Sequence, residues 1–264
     1  MRNRFSMTIA AYLLATINIS GAADFPIKAP VAPAPPLTWT GCYVGLNAGV
    51  AWGRVRNTWN TNPSVLPNTD TQAVFNRFGS GTIDESGFVG GGQVGCQRQI
   101  NAAVFGVEAD LQHTGLSGRR VVSFPGDGNT DPVNFREDFR STWLATFRGR
   151  AGWLVSPAVL LYATGGVAVT NLKTFDFVVD ATDPTSFVTA SGSSRRVGWT
   201  AGAGAEWMMA PQWSVKAEYL YVDLGRFNTL GSNTFLGTVT PAAISHSHRL
   251  TEHIARFGLN YKFY

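Results

Sequence analysis

From Arg256 to Phe263 the chain alternates without a break, with Phe257, Leu259, Tyr261 and Phe263 apolar or aromatic and glycine or a polar residue between them. A period of two marks a strand with one apolar and one polar face. The same pattern runs through eight segments, at roughly 41–55, 85–98, 102–116, 136–155, 158–179, 193–209, 213–225 and 247–264. Their connections alternate in length. Those near 99–101, 156–157 and 210–212 are short, whereas those near 56–84, 117–135, 180–192 and 226–246 are long and rich in Gly, Asn, Asp, Thr and Pro. An all-β, eight-stranded antiparallel barrel crossing an outer membrane, with short periplasmic turns and long extracellular loops, predicts this asymmetry. A soluble sandwich does not require it.

Residues 151–172 carry no charge and invite comparison with a membrane helix. Ser156-Pro157, Gly165-Gly166 and the valines at 155, 159, 167 and 169 favour two strands joined by a tight turn instead. The faces of the segments separate cleanly. In the fourth, Trp143, Ala145, Phe147, Gly149, Ala151 and Trp153 share one parity, and Thr142, Leu144, Thr146, Arg148, Arg150 and Gly152 the other. Ten residues between the tryptophans, tilted as barrel strands are, rise about 23–25 Å, the height of an apolar band with an aromatic girdle at each edge. Trp199 with Trp207, Trp213 with Tyr219 and Tyr221, and Phe257 with Phe263 repeat the design. The opposite parity places Glu108, Asp110, Arg148, Arg150, Glu206, Lys216, Glu218, Arg256 and Lys262 in the lumen. An outward Arg or Lys near the midplane would cost about 2–4 kcal/mol, so nine ionic residues on one parity are expected to pair inside and fill a narrow barrel.

The ends of the chain divide differently. Residues 1–22 carry Arg2 and Arg4, an apolar stretch and then small residues, the form of a cleaved signal peptide. Residues 23–38 form a Pro/Ala-rich linker, and 39–264 the barrel domain. The formal net charge is +4, and loss of the two signal arginines leaves about +2, with no Lys/Arg cluster. A nucleic-acid partner is therefore not expected.

Candidate chemistry is sparse. Cys42 and Cys96, the two cysteines of the chain, fall on outward parity near the periplasmic ends of neighbouring strands. They are either a disulfide formed in an oxidising compartment or two space-fillers, depending on register. Gly90, Gly92 and Gly95 match a dinucleotide fingerprint, but no helix follows them to receive a pyrophosphate. Asp127, Asn129, Asp131 and Asp138 imitate a calcium loop and fail where Pro132 replaces the required glycine. His246 and His248 share one face near the outer rim, a spacing for a metal or an exposed haem iron, although no carboxylate or thiolate completes the set in sequence. Ser245 and Ser247 adjoin those histidines but point to the opposite face, so no hydrolase constellation arises.

Five ordered motifs carry a resemblance: Trp39-Thr40-Gly41-Cys42-Tyr43-Val44-Gly45-Leu46-Asn47, Gly90-Gly91-Gly92-Gln93-Val94-Gly95, Phe105-Gly106-Val107-Glu108-Ala109-Asp110, Tyr162-Ala163-Thr164-Gly165-Gly166-Val167-Ala168 and Gly258-Leu259-Asn260-Tyr261-Lys262-Phe263. From the linker to its end the chain resembles the small alphaproteobacterial outer-membrane immunogenic and porin-family barrels, related to RopB and the OmpA membrane domain. It departs from them in carrying Cys42 and Cys96 where aromatics are usual, and in Tyr264 after the customary final Phe. The resemblance implies an outer-membrane protein of structural or surface role, without catalytic residues or a resident cofactor. The expected partners are outer-membrane lipid and lipopolysaccharide, with a host surface or haem reached through the loops, and the expected state is a monomer. The alternatives are a low-conductance porin and a haem-binding surface receptor.

Overall fold

The computed structural model describes residues 37–62, 64, 69–126, 131–185, 187–235 and 238–263, with the side chains of 229–244 left aside. The expected signal segment 1–22 and most of the linker, like Asp127 and Asn129 of the calcium-like loop, lie outside the described residues. In chain order the elements are β1 (Gly41–Thr61), a short helix α1 (Thr69–Val74) with a π-helical turn (Phe75–Gly79), β2 (Gly81–Ile100), β3 (Ala103–Thr114), β4 (Ser117–Phe124), β5 (Val133–Ser156), β6 (Val159–Asp180), β7 (Phe187–Ala210), β8 (Trp213–Phe235) and β9 (Thr238–Phe263).

Every ladder is antiparallel, and β1 pairs with both β2 and β9, which closes the sheet. The ring has eight members, because β3 and β4 are halves of one strand interrupted at Gly115-Leu116. Both halves pair with β2 on one side and β5 on the other. Gly115 N–H still donates to the Phe88 carbonyl (2.9 Å) and Ser141 N–H to that of Leu116 (3.0 Å), so the interruption leaves the cylinder intact.

The uncharged stretch forms parts of β5 and β6, joined at Pro157-Ala158. Strand faces follow the expected parity: Trp153, Trp199, Trp207, Trp213, Tyr219, Phe257 and Phe263 are exposed, while Arg148, Lys216 and Arg256 are buried. Trp213 meets Tyr261 at the periplasmic edge (5.0 Å), and Trp52 meets Tyr219 at the outer edge (6.2 Å). The strands outrun the sequence boundaries, however. The expected loop 226–246 is instead a continuation of β8 and β9, paired as far as Phe235 and Thr238. Likewise β4 occupies part of the expected loop 117–135, and α1 lies within 56–84. Loss of outward apolar residues marks the end of the lipid band only, since ladder pairing continues equally well in water.

Register places glycine opposite each of four lumen bases. Arg148 faces Gly166, Arg150 faces Gly106, Lys216 faces Gly258 and Arg256 faces Gly49. At Gly49 a Cβ would stand 2.6 Å from the Arg256 Cα and 2.8 Å from its Cβ, so the close approach admits no side chain. Gly92, by contrast, would place a Cβ with only the Gly45 carbonyl near it, at 3.8 Å. Gly49→Val is expected to lower the refolded yield in detergent severalfold, read as the heat-modifiable band on a gel, whereas Gly92→Val refolds like the parent.

Candidate functional site in the barrel lumen

The interior is layered along the barrel axis. At the periplasmic end Trp39 folds inward beside Val104, Leu160, Tyr162 and Met208, and its indole N–H donates to the Pro157 carbonyl (3.1 Å). Above this cap lies an ionic cluster of four bases and four acids. It draws on β3, β5, β7, β8 and β9, elements that inward parity brings to one level. An apolar layer including Leu144, Leu172, Leu220, Leu250 and Ile254 follows. Toward the outer end come Asn57, Glu137, Asp176, His246 and His248, all buried, and an aromatic cluster around Trp59, Phe75 and Phe135.

Arg148 is the hub of the ionic cluster. Its Nη2 donates to Glu108 (2.6 Å) and Asp110 (2.7 Å), its Nη1 to Glu218 (3.0 Å) and its Nε to the Thr146 hydroxyl (2.9 Å). Arg256 engages Glu218 through Nε (2.9 Å) and Nη2 (2.7 Å), Asp110 through Nη2 (3.0 Å) and Gln112 through Nη1 (3.0 Å). Lys216 Nζ donates to both Glu108 oxygens, at 2.8 and 2.7 Å. Arg150 donates to Glu206 (2.6 Å) and to the Tyr43 hydroxyl (2.9 Å), which itself donates to Glu108 (2.6 Å). Charges thus balance within a space closed to solvent, and most donors find ionised acceptors, the arrangement that makes buried ion pairs tolerable. Lys262 stands apart from the cluster, with its ammonium donating to the Thr38 carbonyl.

Cys42 and Cys96 stand directly opposite across β1 and β2, with Cα atoms 4.0 Å apart, and are joined as a disulfide. The exposed rim expected for His246 and His248 is not found. The extended strands carry both rings into the barrel, where they are 0% and 1% exposed, so neither presents an open face to haem. The carboxylate that sequence spacing did not supply comes from β6: Asp176 accepts a 2.7 Å hydrogen bond from His246 Nδ1. Glu85, Glu137, Asp176 and Glu252 are buried acids that sequence reading missed. Inward parity flags Glu85, Asp176 and Glu252, although Asp176 falls beyond the apolar band, where parity was not followed; a β-bulge between Ser141 and Leu144 reverses the parity of β5 and turns Glu137 inward, which alternation alone does not show.

A closed antiparallel cylinder with an apolar, girdled exterior and an ionic interior is a transmembrane β-barrel of the outer-membrane class. The family model "Outer membrane protein beta-barrel domain" matches residues 27–263, and the chain belongs to that family. It is 33% identical over 248 residues to the 31 kDa outer-membrane immunogenic protein of Brucella melitensis, covering 92% of each chain. The 25 kDa outer-membrane immunogenic protein of Brucella abortus is 26% identical over 100% of both chains. The 22 kDa outer membrane protein of Rhizobium leguminosarum bv. viciae is 31% identical, over 74% of this chain and 68% of its own. The protein is therefore an outer-membrane β-barrel of the immunogenic surface group.

Removing the hub should expose the cost of unpaired charge. Arg148→Met would leave four buried acids against three bases, with Arg256 and Lys216 the remaining partners of Glu108, Asp110 and Glu218, and a loss of about 3–5 kcal/mol is expected in urea unfolding from lipid vesicles. Replacing the exposed Arg119, on the extracellular part of β4, should change stability by less than about 1 kcal/mol.

Proposed function

We propose that this protein is a non-catalytic, structural component of the cell surface, its lumen sealed by the ionic cluster and its outer rim seated against lipopolysaccharide. The observation that carries the reading is the reach of the ion pairs across the barrel. Arg148 on β5 bonds Glu218 on β8, Arg256 on β9 bonds Asp110 on β3, and Lys216 on β8 bonds Glu108 on β3. Such pairs fill the bore with fixed side chains instead of lining it, and an eight-stranded interior has room for little else. A porin would need an open path, whereas this interior is filled above the cluster by the packed side chains of Leu250, Glu252 and Ile254 and below it by Trp39.

The rim reading rests on a row of arginines. Arg56 on β1 faces Arg249 on β9, which faces Arg226 on β8, all on the outer surface. Arg56 follows the girdle residue Trp52 by four positions, which sets the row about 10 Å above the band edge, at headgroup height. Like charges directly opposed across a ladder repel. Among the described residues Asp223, 2.8 Å from Arg249, is the acid paired with this row. A lipid phosphate bridging two guanidinium groups would relieve the remainder.

Two measurements test the reading. In planar bilayers the parent protein is expected to show no conductance steps, and Arg148→Ala/Arg256→Ala to open discrete ones; steps from the parent would remove the sealed lumen. Arg56→Gln/Arg226→Gln is expected to bind lipopolysaccharide micelles at least tenfold more weakly at low salt. Equal binding by the variant and the parent would remove the rim contact.

A further inference from the structure

The outer part of the lumen holds a second set of polar groups that the sealed-barrel reading does not use. Asp176 on β6 and His246 and His248 on β9 each offer a ligand atom, and these three atoms lie within 4.8 Å of one another. The strands that bear them are not neighbours in the ring, so the side chains meet across the bore. All three are buried. We propose that they bind one divalent transition-metal ion, of the zinc class, through two imidazoles and one carboxylate.

The contacts are close to what such an ion requires. His246 Nδ1 lies 2.7 Å from Asp176 Oδ2, and His248 Nε2 lies 3.8 Å from the same oxygen. Ligands about 2.0–2.2 Å from a tetrahedral zinc stand roughly 3.3–3.5 Å from each other, so both separations come into range with movements of less than an ångström. The ion takes the Nδ1 position of the proton now directed at Asp176, and the neutral His246 ring then carries its proton on Nε2. Two nitrogens and an oxygen suit zinc and its first-row neighbours better than calcium or magnesium, which favour oxygen.

The surroundings orient the set. His248 Nδ1 donates to the Asn57 Oδ1 (2.7 Å), whose amide nitrogen donates to Glu137 (3.0 Å). That leaves the lone pair of His248 on Nε2, the atom facing Asp176. Glu137 is fixed in turn by the Trp59 indole N–H (2.7 Å) and by Arg120 (3.2 Å). A histidine ring held through its second nitrogen is the usual support for a metal ligand. Trp59 stacks on His246 at 3.9 Å and Phe227 on His248 at 4.9 Å, which fixes both ring planes. His246 Nε2 is buried without a hydrogen-bond partner.

Because the rings are closed to solvent, the ion is structural and enters as the strands close. The test refolds the metal-stripped protein into detergent with one equivalent of Co²⁺. The expected result is one bound ion with the intense visible d–d bands of a four- or five-coordinate site, displaced by Zn²⁺. Refolded Asp176→Asn and His248→Gln should lose the bands, Asn57→Ala should weaken binding about 10–100-fold, and His253→Ala on the outer surface should keep it. X-ray absorption of the zinc-loaded parent needs no variant and should show two imidazoles with oxygen completing the shell. Absence of stoichiometric binding by the refolded parent, bands that survive His248→Gln, or a zinc shell without imidazole would each overturn the proposal.

Discussion

The structure depends on one constraint: in hydrocarbon a backbone N–H or C=O has no water to bond, so the sheet must close on itself. Pairing of β1 with both β2 and β9 meets that demand, and everything else adapts to the resulting cylinder. Closure at eight strands fixes a bore too narrow to leave open and too wide to leave empty. The interior must be filled from the inward half of a two-residue period, and the outward half is already committed to lipid.

Filling with charge raises a difficulty that register resolves. A buried guanidinium costs several kcal/mol unless its donors are satisfied, and satisfaction here requires long side chains to cross the bore at one level. Glycine opposite Arg148, Arg150, Lys216 and Arg256 clears the wall for those side chains, so Gly106, Gly166 and Gly258, in the motifs beginning at Phe105, Tyr162 and Gly258, serve packing. Residues that look like punctuation in the sequence are the space into which the ionic cluster fits.

Parity, band height and turn length were legible in the sequence because each depends on neighbours along a single strand. That is why the inward position of Glu108, Glu218 and Arg256 could be read before any coordinates. Which acid meets which base was not legible, since Arg148 reaches Glu218 only through the stagger of strands 70 residues apart. The capping position of Trp39, the first residue of the first motif, was not legible for a related reason: it lies before the first strand, and only the three-dimensional closure brings it under Pro157. The strand ends beyond the membrane were misplaced because the outward signal that defines a barrel strand vanishes where lipid ends, while the ladder continues.

Those extensions explain why the interior changes character with height. Within the band, lipid pressure and the girdles hold the outside of the cylinder. Above it the strands stand in water, where Arg56, Arg226 and Arg249 occupy the outer face in place of apolar residues. Cohesion must then come from inside. Arg120 meets this need by donating to the carbonyls of Phe78, Gly79 and Ser80 at 2.9–3.0 Å, tying the helical connection to β4. The aromatic contacts of Trp59 with Phe75 and Phe135 add a small core of their own. The polar layer of Asp176, His246 and His248 lies against that core, on strands from opposite sides of the ring. A bond across the bore at this height opposes splaying where it would otherwise begin, at the free outer mouth of the cylinder.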